Sequence, residues 1–189
     1  MSDEQNTLTG RRVAILAADG VEQVELEKPR DAVQDAGATT ELLSLSDGEI
    51  QAVTGDIHPS DTFPVDRTVA GASVEDYDAL ILPGGVFNPD NLRQDDAAVA
   101  FVRDFVGSGK PVGVICHGAW TLVEADVVRG RTLTSYPSIR TDIRNAGGTA
   151  VDEEVVVDGT LVSSRTPDDL PAFTAAIVRV FAENTKGNA

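Results

Sequence analysis

The strongest nucleophile and base candidates in this 189-residue chain are one cysteine and two histidines. Two of the three are adjacent, Cys116 and His117, in the stretch "PVGVICHGAW" (residues 111 to 120). An apolar run that ends in Cys-His-Gly has the form of a nucleophile elbow, a sharp strand-to-helix turn that exposes the nucleophile. Gly118 supplies the small residue that lets the backbone pass closely. A cysteine at that turn also sits at the positive end of the following helix, which favours the thiolate. The ordinary alternative is a buried, inert thiol, the common fate of a free cysteine in a strand. Side chains of neighbouring residues diverge at tight turns, so adjacency alone does not bring His117 to the sulfur.

A thiolate that attacks a carbonyl needs donors for the developing oxyanion. "LPGG" (82 to 85) offers the unobstructed N–H groups of Gly84 and Gly85, which with the His117 N–H could converge on one oxygen. The first apolar run leads into "ADGVEQVE" (18 to 25), which delivers Glu22 toward Cys116. A carboxyl beside a thiolate is a like-charge pair, so one proton is shared and the acid can donate to sulfur. Glu25 and Glu27 read as ordinary solvated acids. No histidine follows His117 in the chain, so the downstream triad histidine of glutamine amidotransferases is missing. His58, upstream in "GDIHPSD", reads as structural or binding. One cysteine and two separated histidines give no zinc spacing. "GSGK" (107 to 110) stands after a helix and before a strand, the reverse of a phosphate loop, and reads as a helix stop. No metal and no cofactor is expected.

The elements that must position these groups follow from apolar patterning. "RRVAILAA", "DALILPGG" and "PVGVIC" are apolar at consecutive positions, as strands buried on both faces are. "TTELLSL" is another strand, and "EVVVDGTLVSS" reads as a hairpin through Asp158-Gly159. Between them, "DDAAVAFVRDFVGSGKP" repeats apolar residues at helical spacing, with Asp95 and Asp96 at its start. Val21 to Ala36 reads as a helix interrupted at Pro29. The last helix is predicted to begin at Thr166 as N-cap, with Pro167 in its first turn. This alternation predicts a single-domain, doubly wound α/β sandwich with a mostly parallel sheet and helices on both faces, flavodoxin-like or class I glutamine amidotransferase-like. Ligands of such sheets bind beyond the carboxyl ends of the strands, where Glu22, Gly84, Gly85 and Cys116 all fall. The domain is expected over residues 10 to 184, with polar tails at 1 to 9 and 185 to 189.

With 15 Lys and Arg against 31 Asp and Glu, the formal charge is -16. That field repels nucleic acid and anionic lipid, so neither is an expected partner. The composition suits a high-salt cytoplasm or simply high solubility. A lone cysteine and a start without an apolar run point to a reducing cytoplasm.

Five stretches in order, "ADGVEQVEL", "DALILPGG", "GKPVGVICHGAW", "RGRTLTSYPSIRTDIRNAGG" and "EVVVDGTLVSSRTPDDL", carry a resemblance. The chain resembles the PfpI family of intracellular cysteine peptidases, within the wider ThiJ/PfpI (DJ-one) superfamily, from Arg11 to Glu183. The resemblance implies Cys116 as nucleophile, His117 as its catalytic histidine, Glu22 as the acid bonded to sulfur, and Tyr136 as a pocket residue. It also implies homodimers, often assembled into hexamers, with sites at subunit contacts. There Asp90 is the nearest candidate for an acid that orients a neighbour's histidine, although "GGVFNPDNLR" departs from the family pattern. The activity implied is that of a cysteine hydrolase of stress protection acting on a peptide or small carbonyl substrate. The alternatives are a cofactor-independent glyoxalase or deglycase acting on methylglyoxal or glycated groups, and a redox-sensing or chaperone-like protein without turnover.

Overall fold

The computed structural model describes residues 7 to 184. In chain order the elements are β1 (Arg12–Leu16), β2 (Val21–Glu22), α1 (Gln23–Asp35), β3 (Thr39–Ser44), β4 (Glu49–Thr54), β5 (His58–Pro64), β6 (Arg67–Thr68), β7 (Ala79–Leu82), α2 (Phe87–Leu92), α3 (Asp96–Gly107), β8 (Val112–Ile115), α4 (Ala119–Glu124), β9 (Thr132–Leu133), α5 (Arg140–Asn145), β10 (Thr149–Ala150), β11 (Val155–Asp158), β12 (Leu161–Ser164) and α6 (Leu170–Glu183). Seven strands form the central sheet in the order β11-β12-β8-β7-β1-β3-β6. All its pairings are parallel except β11 with β12. From β1 the chain first builds outward through β3 and β6, then returns to add β7, β8 and β12 on the other side. The strand order therefore reverses between β1 and β7.

Consecutive apolar residues in the strands feed two cores. Ala14, Leu16, Leu80, Leu82, Val112 and Val114 face one side, where Phe101, Val102 and Phe105 of α3, Leu122 of α4 and Ile143 of α5 cover them. Val13, Ile15, Ile81, Ile115 and Val162 face the other, under Leu26 and Val33 of α1 and Phe173, Ile177 and Phe181 of α6. Each Val, Leu, Ile or Phe among them, removed from water, stabilises the fold by about 2 kcal/mol. At Gly113 the sheet makes room for α6, since a Cβ there would stand 2.7 Å from Ile177 Cγ2.

A second, three-stranded sheet, β2-β4-β5, stands on the loop after β1. Gly20 N–H donates to the Gln51 carbonyl at 2.8 Å, and the Asp19 carboxylate accepts from Gln51 N–H at 2.8 Å. The β4–β5 arm is thereby fastened beside the carboxyl end of β1.

Four expectations need correction. Pro29 does not interrupt α1, which runs unbroken through it; the lost N–H bond and the crowding of the preceding turn are offset by burial of Pro29 on the face it shares with Leu26 and Val33. The hairpin turns through Gly159-Thr160, one residue later than expected, because Asp158 still pairs with Leu161 and Gly159 takes the positive φ of 62°. Thr166 precedes a short 3-10 turn, Pro167–Asp169, rather than the α-helix, and its side chain caps nothing. Residues 7 to 9 are not tail, since Leu8 is fully buried and its N–H donates to the Ala36 carbonyl. The tail expectations for 1 to 6 and 185 to 189 lie outside the described residues. Asp95 does cap α3, accepting from Ala98 N–H at 2.8 Å.

Candidate active site

β8 ends at Ile115 in extended backbone, and Cys116 then takes φ 62°, a left-handed conformation that residues with a Cβ rarely adopt. The chain turns through the 3-10 segment Cys116–Gly118 straight into α4. The turn is closed by the neighbouring strand end: a Cβ on Gly118 would lie 2.7 Å from the Leu82 carbonyl oxygen and 2.8 Å from that of Pro83. The elbow read from the sequence is therefore present. Cys116 keeps only 4% of its surface exposed, and His117 the same.

His117 does reach the sulfur: its Nδ1 lies 3.3 Å from Cys116 Sγ, closer than divergence at a tight turn suggests. The other ring nitrogen, Nε2, lies 3.2 Å from Ser138 Oγ. Tyr136 stacks on the ring at a centroid distance of 4.3 Å, and Trp120 lies against it at 5.3 Å. Tyr136 N–H also donates to the Cys116 carbonyl, so the segment after β9 is tied to the elbow. Burial pulls the His117 pKa down, and the charge of Asp56 pulls it partly back. The neutral ring is thus favoured at neutral pH.

The acid at the sulfur is Glu25, not Glu22. Glu25 is fully buried, its Oε2 accepts from Gly84 N–H at 3.1 Å, and its carboxyl and the Cys116 thiol shift each other's pKa. Its Oε1 has no hydrogen-bond partner, as suits the protonated acid better than a buried carboxylate. Burial pushes the Glu25 pKa up to about 8, with the negative charges of Glu22 and Asp56 adding to the rise. Expecting Glu25 to be a solvated acid overlooked helix phase. Glu25 shares the inward face of α1 with Leu26, Pro29 and Val33, and the i, i+4, i+8 spacing of 25, 29 and 33 was visible in the sequence.

Glu22 has different work. Its two carboxylate oxygens accept from Gly55 N–H at 3.1 Å and Asp56 N–H at 3.0 Å, fastening the turn of the β4–β5 arm. Asp56, at φ 66°, in turn accepts from Val86 N–H at 3.1 Å. The arm, the β1 loop and the "PGG" loop are joined through this chain of contacts. Buried Asn88 joins the latter two again: its Oδ1 accepts from Ala18 N–H at 2.7 Å, and its Nδ2 donates to the Pro83 and Gly84 carbonyls.

The proposed oxyanion donors separate. Gly84 N–H is engaged by Glu25 and is not free for substrate. The N–H groups of Gly85 and His117 point at the Cys116 sulfur and pull its pKa down. Burial and the charge of Glu25 push the thiol up more strongly. The Glu25 contribution acts only while Glu25 is ionised, so a protonated Glu25 removes it. Gly85 is required at its place: it has φ 81°, and a Cβ there would strike the Gly20 carbonyl oxygen. Asp90 is exposed on α2, where its carbonyl accepts from Gln94. His58 is exposed at the start of β5. Sequence reasoning assigned no role to Ser138, Asp56 or Asn88, although each lay inside a quoted stretch: "RGRTLTSYPSIRTDIRNAGG", "GDIHPSD" and "GGVFNPDNLR". Among the described residues no group of three or more His, Cys, Asp or Glu is placed to hold a metal ion.

The class defined by this geometry is an α/β protein with a buried cysteine, histidine and carboxylic acid gathered at the strand-order reversal. The chain belongs to the DJ-1/PfpI family, which it matches over residues 11 to 180. It is 43% identical over 171 residues to the Escherichia coli (strain K12) protein named protein/nucleic acid deglycase 2, covering 90% of this chain and 97% of that one. It is 40% identical over 163 residues to YraA of Bacillus subtilis (strain 168), named as a candidate cysteine protease, covering 86% of this chain and 94% of the relative. Among solved structures, an Anabaena variabilis protein with DJ-1/ThiJ/PfpI-like and ferritin-like domains superposes with a TM-score of 0.85 at 34% identity, over 95% of this chain and 52% of that one. Drosophila melanogaster DJ-1beta gives 0.82 at 25% identity, over 91% and 90%. The relatives' names support a cysteine-dependent enzyme, a hydrolase or deglycase.

Proposed function

We propose that this protein uses Cys116 to attack small reactive carbonyls, either an α-oxoaldehyde such as methylglyoxal or the adduct of one with an amine. The observation that carries this reading is the burial of the whole constellation, with Cys116 and His117 4% exposed and Glu25 not at all. A nucleophile so enclosed accommodates a group of a few heavy atoms more readily than an extended peptide. The thiol gives its proton to His117 Nδ1, and the sulfur adds to the carbonyl carbon. The oxygen that becomes negative is met by the Gly85 and His117 N–H groups. Protonated Glu25 sits beside the sulfur without opposing its charge. From an α-oxoaldehyde, the hydrogen on the attacked carbon then leaves as a proton and is added to the adjacent carbonyl carbon, while the proton held by His117 goes to the oxygen of that carbon. This oxidises one carbon and reduces the other within the substrate, so no outside redox partner is needed. Water cleaves the resulting thioester to a 2-hydroxy acid and restores the thiol. From a hemiaminal adduct, the hydroxyl proton passes to nitrogen as the C–N bond breaks, and the sulfur then adds to the freed aldehyde in the same way.

The peptidase reading stands second, favoured by the name of the Bacillus relative. Parallel assays with methylglyoxal, a glycated amine and a fluorogenic peptide separate the two. Consumption of the small carbonyls by wild type and its loss in Cys116→Ala is the expected result. Turnover by Cys116→Ala equal to wild type would overturn both readings, and activity on the peptide alone would favour the second.

A further inference from the structure

A neutral imidazole carries one proton, and which nitrogen holds it decides whether His117 can take a proton from Cys116. Nδ1 faces the sulfur at 3.3 Å, so only the form protonated on Nε2 leaves a lone pair toward the thiol. Nε2 lies 3.2 Å from Ser138 Oγ. Ser138 is exposed on the 3-10 turn Pro137–Ile139, so its own hydroxyl proton can point to water while the oxygen accepts. The same turn starts from Tyr136, whose ring stacks on the imidazole. One short segment thus fixes both the plane of the ring and the far nitrogen.

We propose that Ser138 is a positioning residue for His117: its hydroxyl accepts the Nε2–H and so keeps the Nδ1 lone pair on the Cys116 thiol. The proposal rests on the reading of Cys116 as a nucleophile that His117 deprotonates. In that step the S–H bond breaks as the Nδ1–H bond forms, giving a thiolate and an imidazolium. The imidazolium keeps its Nε2–H on Ser138, and Asp56 is the nearby charge that favours this protonated form. This contact lies within one chain and is separate from the role that the family resemblance assigned to Asp90 of a neighbour.

The test uses uniformly 15N-labelled full-length protein and a long-range 1H–15N correlation of the imidazoles. The chain has only two histidines, and exposed His58 serves as an internal reference for an unconstrained ring. In wild type His117 is expected to show a single tautomer protonated on Nε2. Ser138→Ala is expected to give a tautomer mixture and a several-fold slower Cys116 alkylation at pH 7, and Ser138→Thr to restore both. A wild-type His117 protonated on Nδ1, or an alanine variant with unchanged tautomer and alkylation rate, would overturn the proposal. Exposed Ser138 carries no core packing, so its alanine variant should fold. Failure to turn over any carbonyl would count against the proposed function and leave the tautomer result standing.

Discussion

Two carboxyl groups in this molecule each stand beside a weakly acidic side chain, with opposite electrostatic results. At the amino-terminal end of β1, Glu41 accepts from Tyr77 Oη at 2.6 Å, Arg12 bonds its other oxygen at 2.5 Å, and Arg67 lies at 3.7 Å. The Tyr77 hydrogen bond and these cations hold the Glu41 pKa down, against a smaller effect of burial. At the carboxyl end of the sheet, Glu25 faces Cys116 with no cation among the causes of its shift, only the acids Glu22 and Asp56. Its pKa rises to about 8. A carboxyl beside a proton donor is therefore not in itself an active site. Excluding water while withholding cations keeps Glu25 protonated, and that allows an ionised sulfur beside it.

The largest test of this contrast is the pH dependence of stability. In the unfolded chain Glu25 ionises near 4.5, but in the fold only near 8. Between these values the native state binds the extra proton, so the Glu25 contribution is fully favourable below pH 4.5 and is lost as pH rises to 8. Across that window the loss approaches about 5 kcal/mol. Glu25→Gln mimics the protonated acid, so urea unfolding should show it growing more stable than wild type from pH 5 to pH 8. Parallel curves for the two proteins across this range would mean that Glu25 is ionised in the fold.

A second test acts on the backbone that brings the groups together. Gly118→Ala drives a Cβ against the Leu82 and Pro83 carbonyls, which are backbone and cannot swing aside. The expected loss is about 2 to 3 kcal/mol, read as a lower urea midpoint, with slower Cys116 alkylation because the elbow shifts. Wild-type stability in this variant would show that the elbow is looser than its contacts imply.

What the sequence revealed and what it hid divide along the same physical line. The strands, the elbow at Cys116 and the glycines at 84, 85 and 118 were legible because continuous apolar runs ending in small residues seldom arise outside buried strand ends. Glu25 and Glu22 were exchanged because two acids three residues apart, in a stretch that reads as helix from Val21, differ only in helix phase. Ser138 and Asp56 were invisible for another reason. Ser138 comes 21 residues after His117, and Asp56 reaches the site on an arm whose docking depends on Glu22. Such pairings are made by folding and leave no local pattern.

At the other end of the comparison, Tyr77→Phe keeps the ring against Phe101 and removes only the hydroxyl that bonds Glu41. A charge-assisted bond of this kind contributes about 1.5 kcal/mol. Because the folded Glu41 pKa is depressed, that stability is present above the unfolded value and is lost as pH falls. The variant should therefore be weaker near pH 7 and converge on wild type as acid protonates Glu41. A constant difference at all pH values would assign the loss to packing.

Salt gives the smallest effect and sharpens the contrast most. The Glu41 cluster is partly open to solvent, with Arg12 and Arg67 side chains 43% and 37% exposed, so 1 M KCl screens it within a Debye length of about 3 Å. Glu25 lies behind the β1 and "PGG" loops, where mobile ions do not enter. Raising KCl from 0.1 to 1 M should shrink the Tyr77→Phe pH difference by a few tenths of a kcal/mol and leave the Glu25→Gln difference unchanged. Overall stability should rise at the same time as salt relieves the repulsion of a chain with formal charge -16, which is why each variant must be compared with wild type at the same salt. Equal screening of both differences would mean that ions or water reach Glu25, and the closed site that separates the two carboxyls would then be open.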